Sequence, residues 1–171
     1  MEDAEPSLMF DRAKVACNMV RGDSKTHLMV FDAKMHEKEL YQQKLINDLG
    51  RAIAEEQFLV YYQPKYNIQC DPPKLSSAEA LVRWEHPELG MISPGDFIPL
   101  FENNGLIYQV DNYVWTKAAE QVAEWRDRMG YLMPVSVNLS RNDIANEALK
   151  ERLDELLEMN DLSADDVKLE V

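Results

Sequence analysis

Apolar positions near the start of the chain recur at helical spacing. Over residues 7–20 they fall three or four positions apart, which predicts an amphipathic helix. A turn at Gly22, Asp23 and Ser24 then leads into a short apolar run at 27–31, which predicts a strand. A second helical pattern covers 33–56 and is long enough to join two domains.

Further along, strand patterns and helix patterns take turns. The predicted strands are 58–68, 76–84, 134–139 and 167–171, and the predicted helices are 94–103, 107–128 and 141–158. Pro72 and Pro73 separate the first two strands, since proline disfavours regular structure there. The alternation is typical of parallel βα units, so the fold class is α/β, either an open doubly wound sheet or a (β/α) barrel.

Two predicted helices begin with capping sequences. Ser93 is followed by Pro94 and by Asp96, a serine cap with proline at the first helical position and an acid in the first turn. Ser140 and Asp143 repeat the cap and its acid. Each cap follows a strand or its loop. Ligands of such sheets and barrels bind where strands end, so polar residues at those ends are candidates for function.

Composition and charge exclude several classes of protein. The 171 residues are 46% hydrophobic, which is typical of a globular domain. The longest unbroken apolar run, 58–62, is too short to cross a bilayer, and the acidic start is unlike a signal peptide, so we expect a cytoplasmic location. The net charge of −13 argues against a nucleic acid polymer as partner. Cys17 and Cys70 fit no metal spacing and are expected to be reduced thiols.

Three oxygen-bearing side chains lie in the later predicted strands, namely Glu79, Asn138 and Glu170. A carboxylate in a buried strand is costly unless it is paired, protonated or bound to a cation. A salt bridge is the alternative for Glu79, because period two places Arg83 on the same strand face. For Asn138 the alternative is a hydrogen bond that caps the following turn.

An all-oxygen set of ligands suits Mg²⁺, Mn²⁺ or Ca²⁺ better than zinc. An acidic protein that handles phosphate esters needs a divalent cation between its carboxylates and the phosphate, together with arginines. Arg83 lies four positions from Glu79, and its planar guanidinium suits bidentate phosphate contact. The residues therefore favour metal-assisted chemistry on a phosphate ester.

Several ordered motifs resemble a known family. The segment SAEALVRWEHPELGMISPGDFIPLFENNGLI at 77–107, with YYQPKY before it and PVSVNLS after it, resembles the EAL domain of cyclic di-GMP phosphodiesterases. The earlier string FDRAKVACNMVRGDSKTHLMVFD resembles the last helix and strand of a GGDEF domain, followed by the usual connecting helix. This implies a GGDEF-like remnant at 1–32, a connector at 33–56 and the EAL domain at 43–171. The GGDEF signature loop is absent from this chain, so cyclase activity is not implied.

The resemblance implies a (β/α)₈ TIM-like barrel and a role in bacterial second-messenger signalling. The activity implied is hydrolysis of cyclic di-GMP to linear pGpG with Mg²⁺ or Mn²⁺. Glu79 matches a catalytic and metal-binding glutamate, and Asn138 and Glu170 match further metal ligands. The positions that match contacts to the cyclic dinucleotide are Gln63, Leu81, Arg83, through phosphate, and Asp111, through a guanine edge.

Residues 43–171 cover about half of the ~250 residues of a complete barrel of this type. We therefore expect the N-terminal half of an EAL domain. The family's paired aspartates and water-activating lysine have no match in this chain, so we expect the intact protein to be a phosphodiesterase and the chain alone to be inactive. The alternative is an inactive EAL-type receptor of cyclic di-GMP or a protein-interaction module.

A half barrel leaves strand edges unpaired and an apolar layer uncovered. We expect either a homodimer or the missing C-terminal half to cover them. Contact with a membrane is expected only through parts outside this chain.

Overall fold

The computed structural model describes residues 5–20, 28–140, 144 and 148–170. The chain divides into two compact units, Met1–Leu49 and Gly50–Val171. No helix within the described residues combines the length and the apolar character needed to cross a membrane.

The described part of the first unit is mainly helical, and the last residues of its second helix extend past Leu49 into the second unit. Helix α1 spans Pro6–Val20 and helix α2 spans Ala33–Ala54, close to the predicted 7–20 and 33–56. The predicted strand at 27–31 is wrong in its described part, because residues 28–31 form no strand. A strand needs a hydrogen-bonded neighbour, and the described part of this unit offers none. His27 lies outside the described residues.

The second unit is built on a five-stranded sheet. Its strands are β1 (Phe58–Asn67), β2 (Lys74–His86), β3 (Gly90–Ile92), β4 (Val135–Asn138) and β5 (Val167–Glu170). The order is β1-β2-β4-β5, and β3 pairs with β2. The parallel βα arrangement is confirmed for β2, β4 and β5, but β1 and β3 run antiparallel to β2. A short connection can only reverse the chain, so β1 and β2 form a hairpin. The sequence pattern did not predict β3.

Three helices accompany the sheet. They are α3 (Pro94–Asn103), α4 (Ile107–Met129) and α5 (Leu149–Met159). The predicted cap of α3 is confirmed, since Ser93 Oγ accepts a hydrogen bond of 3.3 Å from the Gly95 amide. Helix α4 ends at Met129, and the capping residue Gly130 has a φ of 63°, the left-handed conformation that glycine adopts without strain. Helix α5 begins at Leu149, later than the predicted 141, and the predicted cap at Ser140 is followed by residues outside the described part.

The core lies between one face of the sheet and helices α3 and α4. Val135 and Val137 of β4 are fully buried, and so are Trp115, Ala118 and Val122 along α4. An aromatic cluster fills the space near α3, with Phe58 and Trp84 rings 4.9 Å apart and Phe97 packed edge-on to Trp84. Because strand residues alternate between faces, burial of Val135 and Val137 leaves Ser136 and Asn138 on the opposite face.

Candidate functional site

The face of the sheet opposite the helices carries six of the seven predicted site residues, and the seventh, Asp111, belongs to helix α4. Strand register pairs Gln63 with Glu79, Glu79 with Ser136, and Asn138 with Glu170. Residues that are paired across neighbouring strands point to the same face, so these side chains share one surface. Leu81 and Arg83 follow Glu79 at period two and belong to the same face.

A lysine that the sequence analysis did not select lies at the centre of this face. Lys65 Nζ is 3.3 Å from Glu79 Oε2 and 2.5 Å from Glu170 Oε1. It also donates a hydrogen bond of 2.8 Å to Ser136 Oγ. One ammonium from β1 therefore binds side chains of β2, β4 and β5. The motif YYQPKY contains this lysine, but its importance emerges only from the register between β1 and β2.

The contacts around Lys65 alter the proton affinities of its partners. The hydrogen bond with Glu170 raises the pKa of Lys65 above its ordinary value, and the hydrogen bond with Glu79 adds to the increase. The same bond lowers the pKa of Glu170, with a further contribution from Ser136. Both groups are therefore held in their charged forms.

The salt bridge considered for Glu79 is present, but with a different partner. No ion pair joins Glu79 to Arg83, both of which the structure describes. Instead Arg83 Nη1 donates a hydrogen bond of 2.7 Å to the Val82 carbonyl, and its guanidinium carbon lies 5.9 Å from the centre of the Tyr61 ring. The cross-strand lysine takes the carboxylate because it approaches from the neighbouring strand, which leaves Arg83 available to the adjacent cleft.

A cleft of about 340 Å³ opens beside residues 80–83 of β2 and the end of β4. Four predicted site residues line it, namely Leu81, Arg83, Asp111 and Asn138. Glu79, Glu170 and Gln63 do not line this cleft; they lie on the same face of the sheet around Lys65. The structure thus places the predicted residues in two adjacent groups, one around an ammonium and one around an open space.

Helix α4 fixes the end of β4 through two hydrogen bonds. The buried indole of Trp115 donates from Nε1 to the Asn138 carbonyl at 3.0 Å. Asp111 Oδ2 accepts a bond of 3.3 Å from the Ser140 amide. Asp111 and Trp115 are four positions apart and so share one helix face. The turn that Asn138 was considered to cap lies at residues outside the described part, so that alternative stays open.

The oxygen atoms offered by the predicted ligands are of the kind that a hard divalent cation prefers. Glu79, Glu170 and Asn138 offer carboxylate and amide oxygens, which Mg²⁺ and Mn²⁺ prefer. The two carboxylates both contact the same positive charge, the Lys65 ammonium. Among residues 5–20, 28–140, 144 and 148–170, however, no cluster of three or more His, Cys, Asp or Glu could hold a metal ion. The three residues fit part of an oxygen site that needs further ligands.

Comparison with known proteins decides the family. A family model described as the EAL domain matches residues 46–171. The chain belongs to the EAL domain family. Homologous EAL proteins are named as cyclic di-GMP phosphodiesterases. One is the bifunctional diguanylate cyclase/cyclic di-GMP phosphodiesterase MucR of Pseudomonas aeruginosa, 35% identical over 141 residues, which are 82% of this chain and 20% of the relative.

A second relative of this EAL domain is the cyclic di-GMP phosphodiesterase PdeR of Escherichia coli. It is 32% identical over 157 residues, which are 90% of this chain and 23% of the relative. The chain therefore spans about a quarter or less of the length of these curated relatives.

Solved EAL structures share the fold. The PaMucR phosphodiesterase in complex with c-di-GMP is 35% identical, with a TM-score of 0.68, and the match covers 75% of this chain and 51% of that one. The FimX EAL domain of Xanthomonas citri in complex with c-diGMP is 25% identical, with a TM-score of 0.67, and the match covers 78% of this chain and 51% of that one. This EAL chain therefore matches about half of each solved chain.

Proposed function

We propose that this chain forms the N-terminal half of an EAL phosphodiesterase that hydrolyses cyclic di-GMP to pGpG with Mg²⁺ or Mn²⁺. The observation that supports this most directly is the convergence of Glu79 and Glu170 on one positive charge, beside a cleft lined by Arg83 and Asn138. The names of MucR and PdeR support the substrate and the reaction.

Each proposed role follows from the chemistry of the side chain. Glu79, Asn138 and Glu170 would hold the cation through oxygen. A bound divalent cation lowers the pKa of a water molecule and neutralises charge on the phosphate. Arg83 would bind phosphate oxygens from the cleft through its planar fork.

The remaining residues would recognise the base and the ring. Asp111 would accept hydrogen bonds from the N1–H and the exocyclic amine of a guanine, because a carboxylate can accept two parallel donors. Gln63 and Leu81 would contact the dinucleotide from β1 and β2. These assignments follow the resemblance to the family.

The chain alone is expected to be inactive, because the paired aspartates and the lysine of the family have no match within it. The test is release of pGpG from cyclic di-GMP with Mn²⁺, followed by chromatography. The chain is assayed alone and when continued by the remainder of an EAL domain. We expect product only from the continued protein, and pGpG released by the chain alone would refute the expectation of inactivity.

In the continued protein, Glu79→Ala should abolish hydrolysis. Glu85→Ala is the matched control, because Glu85 is an exposed acid on the same strand and outside the cleft. Unchanged pGpG release from Glu79→Ala would refute the role of Glu79 as a ligand.

The second candidate function is a receptor that binds cyclic di-GMP without cleaving it. The ammonium of Lys65 contacts both Glu79 and Glu170 and offsets one of their two negative charges, and the FimX EAL domain was solved in complex with c-diGMP. Calorimetric binding of cyclic di-GMP by the continued protein, with no pGpG in the presence of Mn²⁺, would favour the receptor. Binding with turnover would favour the enzyme.

The GGDEF-like interpretation of residues 1–32 and the homodimer both stay predictions.

A further inference from the structure

The contacts of Lys65 have a geometry that is unusual for a structural salt bridge. Its ammonium contacts three oxygens, and each of these comes from a different strand: Glu79 from β2, Ser136 from β4 and Glu170 from β5. A surface ion pair normally joins two solvent-exposed groups and contributes little to stability. Here a single ammonium contacts two carboxylates that lie on one face of the sheet and belong to different strands.

The two carboxylates need a positive charge between them. Oxygens of both carboxylates lie within 3.3 Å of Lys65 Nζ, so the two negative charges are close enough to disfavour simultaneous ionisation. The other basic side chain near Glu79, Arg83, turns away towards the Val82 carbonyl. Among the described residues, Lys65 is therefore the cation that contacts both Glu79 and Glu170 and offsets part of their charge.

The side chain of Lys65 can leave this position without moving its strand. The backbone carbonyl of Lys65 accepts a hydrogen bond of 2.9 Å from Ser76 Oγ, and β1 pairs with β2 on both sides of Lys65, with a shift of register between Lys65 and Tyr66. The side chain itself is 37% exposed, so the flexible stem has open space beside it. A lysine ammonium is a compact, strongly hydrated charge on four rotatable carbons, which suits withdrawal into solvent.

We propose that the Lys65 ammonium and a divalent cation are alternative occupants of the space between Glu79 and Glu170. Lys65 holds the two carboxylates in place while the metal is absent and withdraws when the metal binds. The proposal rests on the assignment of Glu79 and Glu170 as metal ligands under the proposed function. It makes Lys65 a positioning residue that sets the metal affinity of the site, in contrast to a residue that contacts the substrate.

The test measures binding of Mn²⁺ alone to the protein continued by the remainder of an EAL domain, by titration calorimetry and by the electron paramagnetic resonance of free Mn²⁺. Lys65→Met removes the charge and keeps the length of the side chain. Lys74→Met is the matched control, because Lys74 is exposed on the same hairpin and forms no ion pair with the described residues. We expect Lys65→Met to bind Mn²⁺ about tenfold more tightly than the unchanged protein, since a competing unit charge is gone. Lys74→Met should match the unchanged protein.

Thermal unfolding supplies a second readout that does not depend on activity. Without metal, Lys65→Met should unfold at a lower temperature, because the carboxylates repel one another. Mn²⁺ should then raise the unfolding temperature of Lys65→Met by more than it raises that of the unchanged protein. A purely structural lysine would give the first effect without the second. Lys65→Gln, which is neutral and can still hydrogen bond to Glu170, replaces Lys65→Met if the latter does not fold.

The outcomes separate this inference from the proposed function. Equal Mn²⁺ affinity in the unchanged protein and Lys65→Met, with binding lost on adding Glu79→Gln, overturns the competition and leaves Glu79 as a ligand. No saturable Mn²⁺ binding in any of these proteins overturns both proposals. Tighter binding in Lys65→Met that Glu79→Gln abolishes supports both.

Discussion

The indole Nε1 of Trp115 donates a hydrogen bond to the backbone carbonyl of Asn138 across 3.0 Å. Trp115 belongs to the buried face of α4, and Asn138 is the last residue of β4. The position of a proposed metal ligand is therefore set by a helix as well as by its own strand.

Trp115→Phe tests this bond. The variant keeps an aromatic ring in the core but removes the donor to the Asn138 carbonyl, and a hydrogen bond of this kind contributes about 0.5–1.5 kcal/mol net. We expect the free energy of unfolding, measured with urea, to fall by that amount. Trp125→Phe is the control, because Trp125 is half-buried and packs edge-on against Tyr62. Equal losses in the two variants would contradict a specific role for the Trp115 bond.

Arg83→Lys tests phosphate recognition in the cleft. Lysine keeps the charge but cannot form the two parallel hydrogen bonds of a guanidinium. In the protein continued by the remainder of an EAL domain, we expect the affinity for cyclic di-GMP to fall about tenfold or more while stability is preserved. Calorimetry measures the affinity of each protein. Arg128→Lys, a change at an exposed residue of α4, is the control. An unchanged dissociation constant would remove Arg83 from the proposed contacts.

Asp111→Asn tests the proposed contact with guanine. An amide offers one acceptor and one donor, so it cannot accept from two adjacent N–H groups as a carboxylate does. Its oxygen can still accept the Ser140 amide, so we expect little change in stability. The affinity for cyclic di-GMP should fall by about one to two orders of magnitude. Asp127→Asn, at an exposed position of the same helix, should bind as the unchanged protein does. A loss of stability equal to the loss of binding would indicate a structural role alone.

The pH dependence of stability should depend on Tyr62. Its hydroxyl donates to the Lys117 carbonyl at 3.2 Å. Burial raises the pKa of Tyr62 above its ordinary value of about 10, and the charges of Glu120 and Glu124 raise it further. The folded state therefore holds this proton more tightly than the unfolded state. The stability from Tyr62 is fully present below about pH 10 and is lost as the pH rises above the unfolded value.

Tyr62→Phe provides the measurement. At pH 8 the variant should be less stable by about 1 kcal/mol, because one hydrogen bond is lost. The difference between the two proteins should shrink in urea unfolding at pH 10.5 and above. Tyr66→Phe, at an exposed tyrosine of the same strand, is the control for loss of a phenol. A difference that stays constant from pH 8 to 11 would argue against the raised pKa of Tyr62.

Local signals were sufficient to predict helices α3 and α4. Helix α3 begins at Pro94 after Ser93, as the cap predicts, and α4 ends just before Gly130. These signals involve residues within a few positions of one another. The prediction of a strand at 27–31 was wrong in its described part because a strand depends on a partner that is distant in sequence. The apolar run alone cannot supply that partner.

The candidate site was predictable in its members but not in its arrangement. Period two placed Glu79 and Arg83 on one face, and this suggested the wrong ion pair. The partner of Glu79 is Lys65, which reaches it through the antiparallel register of β1 on β2. Register between strands is a tertiary property, and a shift of one residue would reverse the face that every side chain occupies. For this reason the sequence alone did not reveal Lys65.

The hairpin of β1 and β2 has a consequence for the order in which the chain folds. Lys65 and Glu79 belong to adjacent strands joined by a short loop, and hairpins of this kind close within about 1–10 μs. The bond from Lys65 to Glu170 spans 105 positions and requires β4 and β5 to be in place. Local diffusion of the chain therefore suffices to form the first ion pair, whereas the second closes only after the long-range parallel pairing is complete.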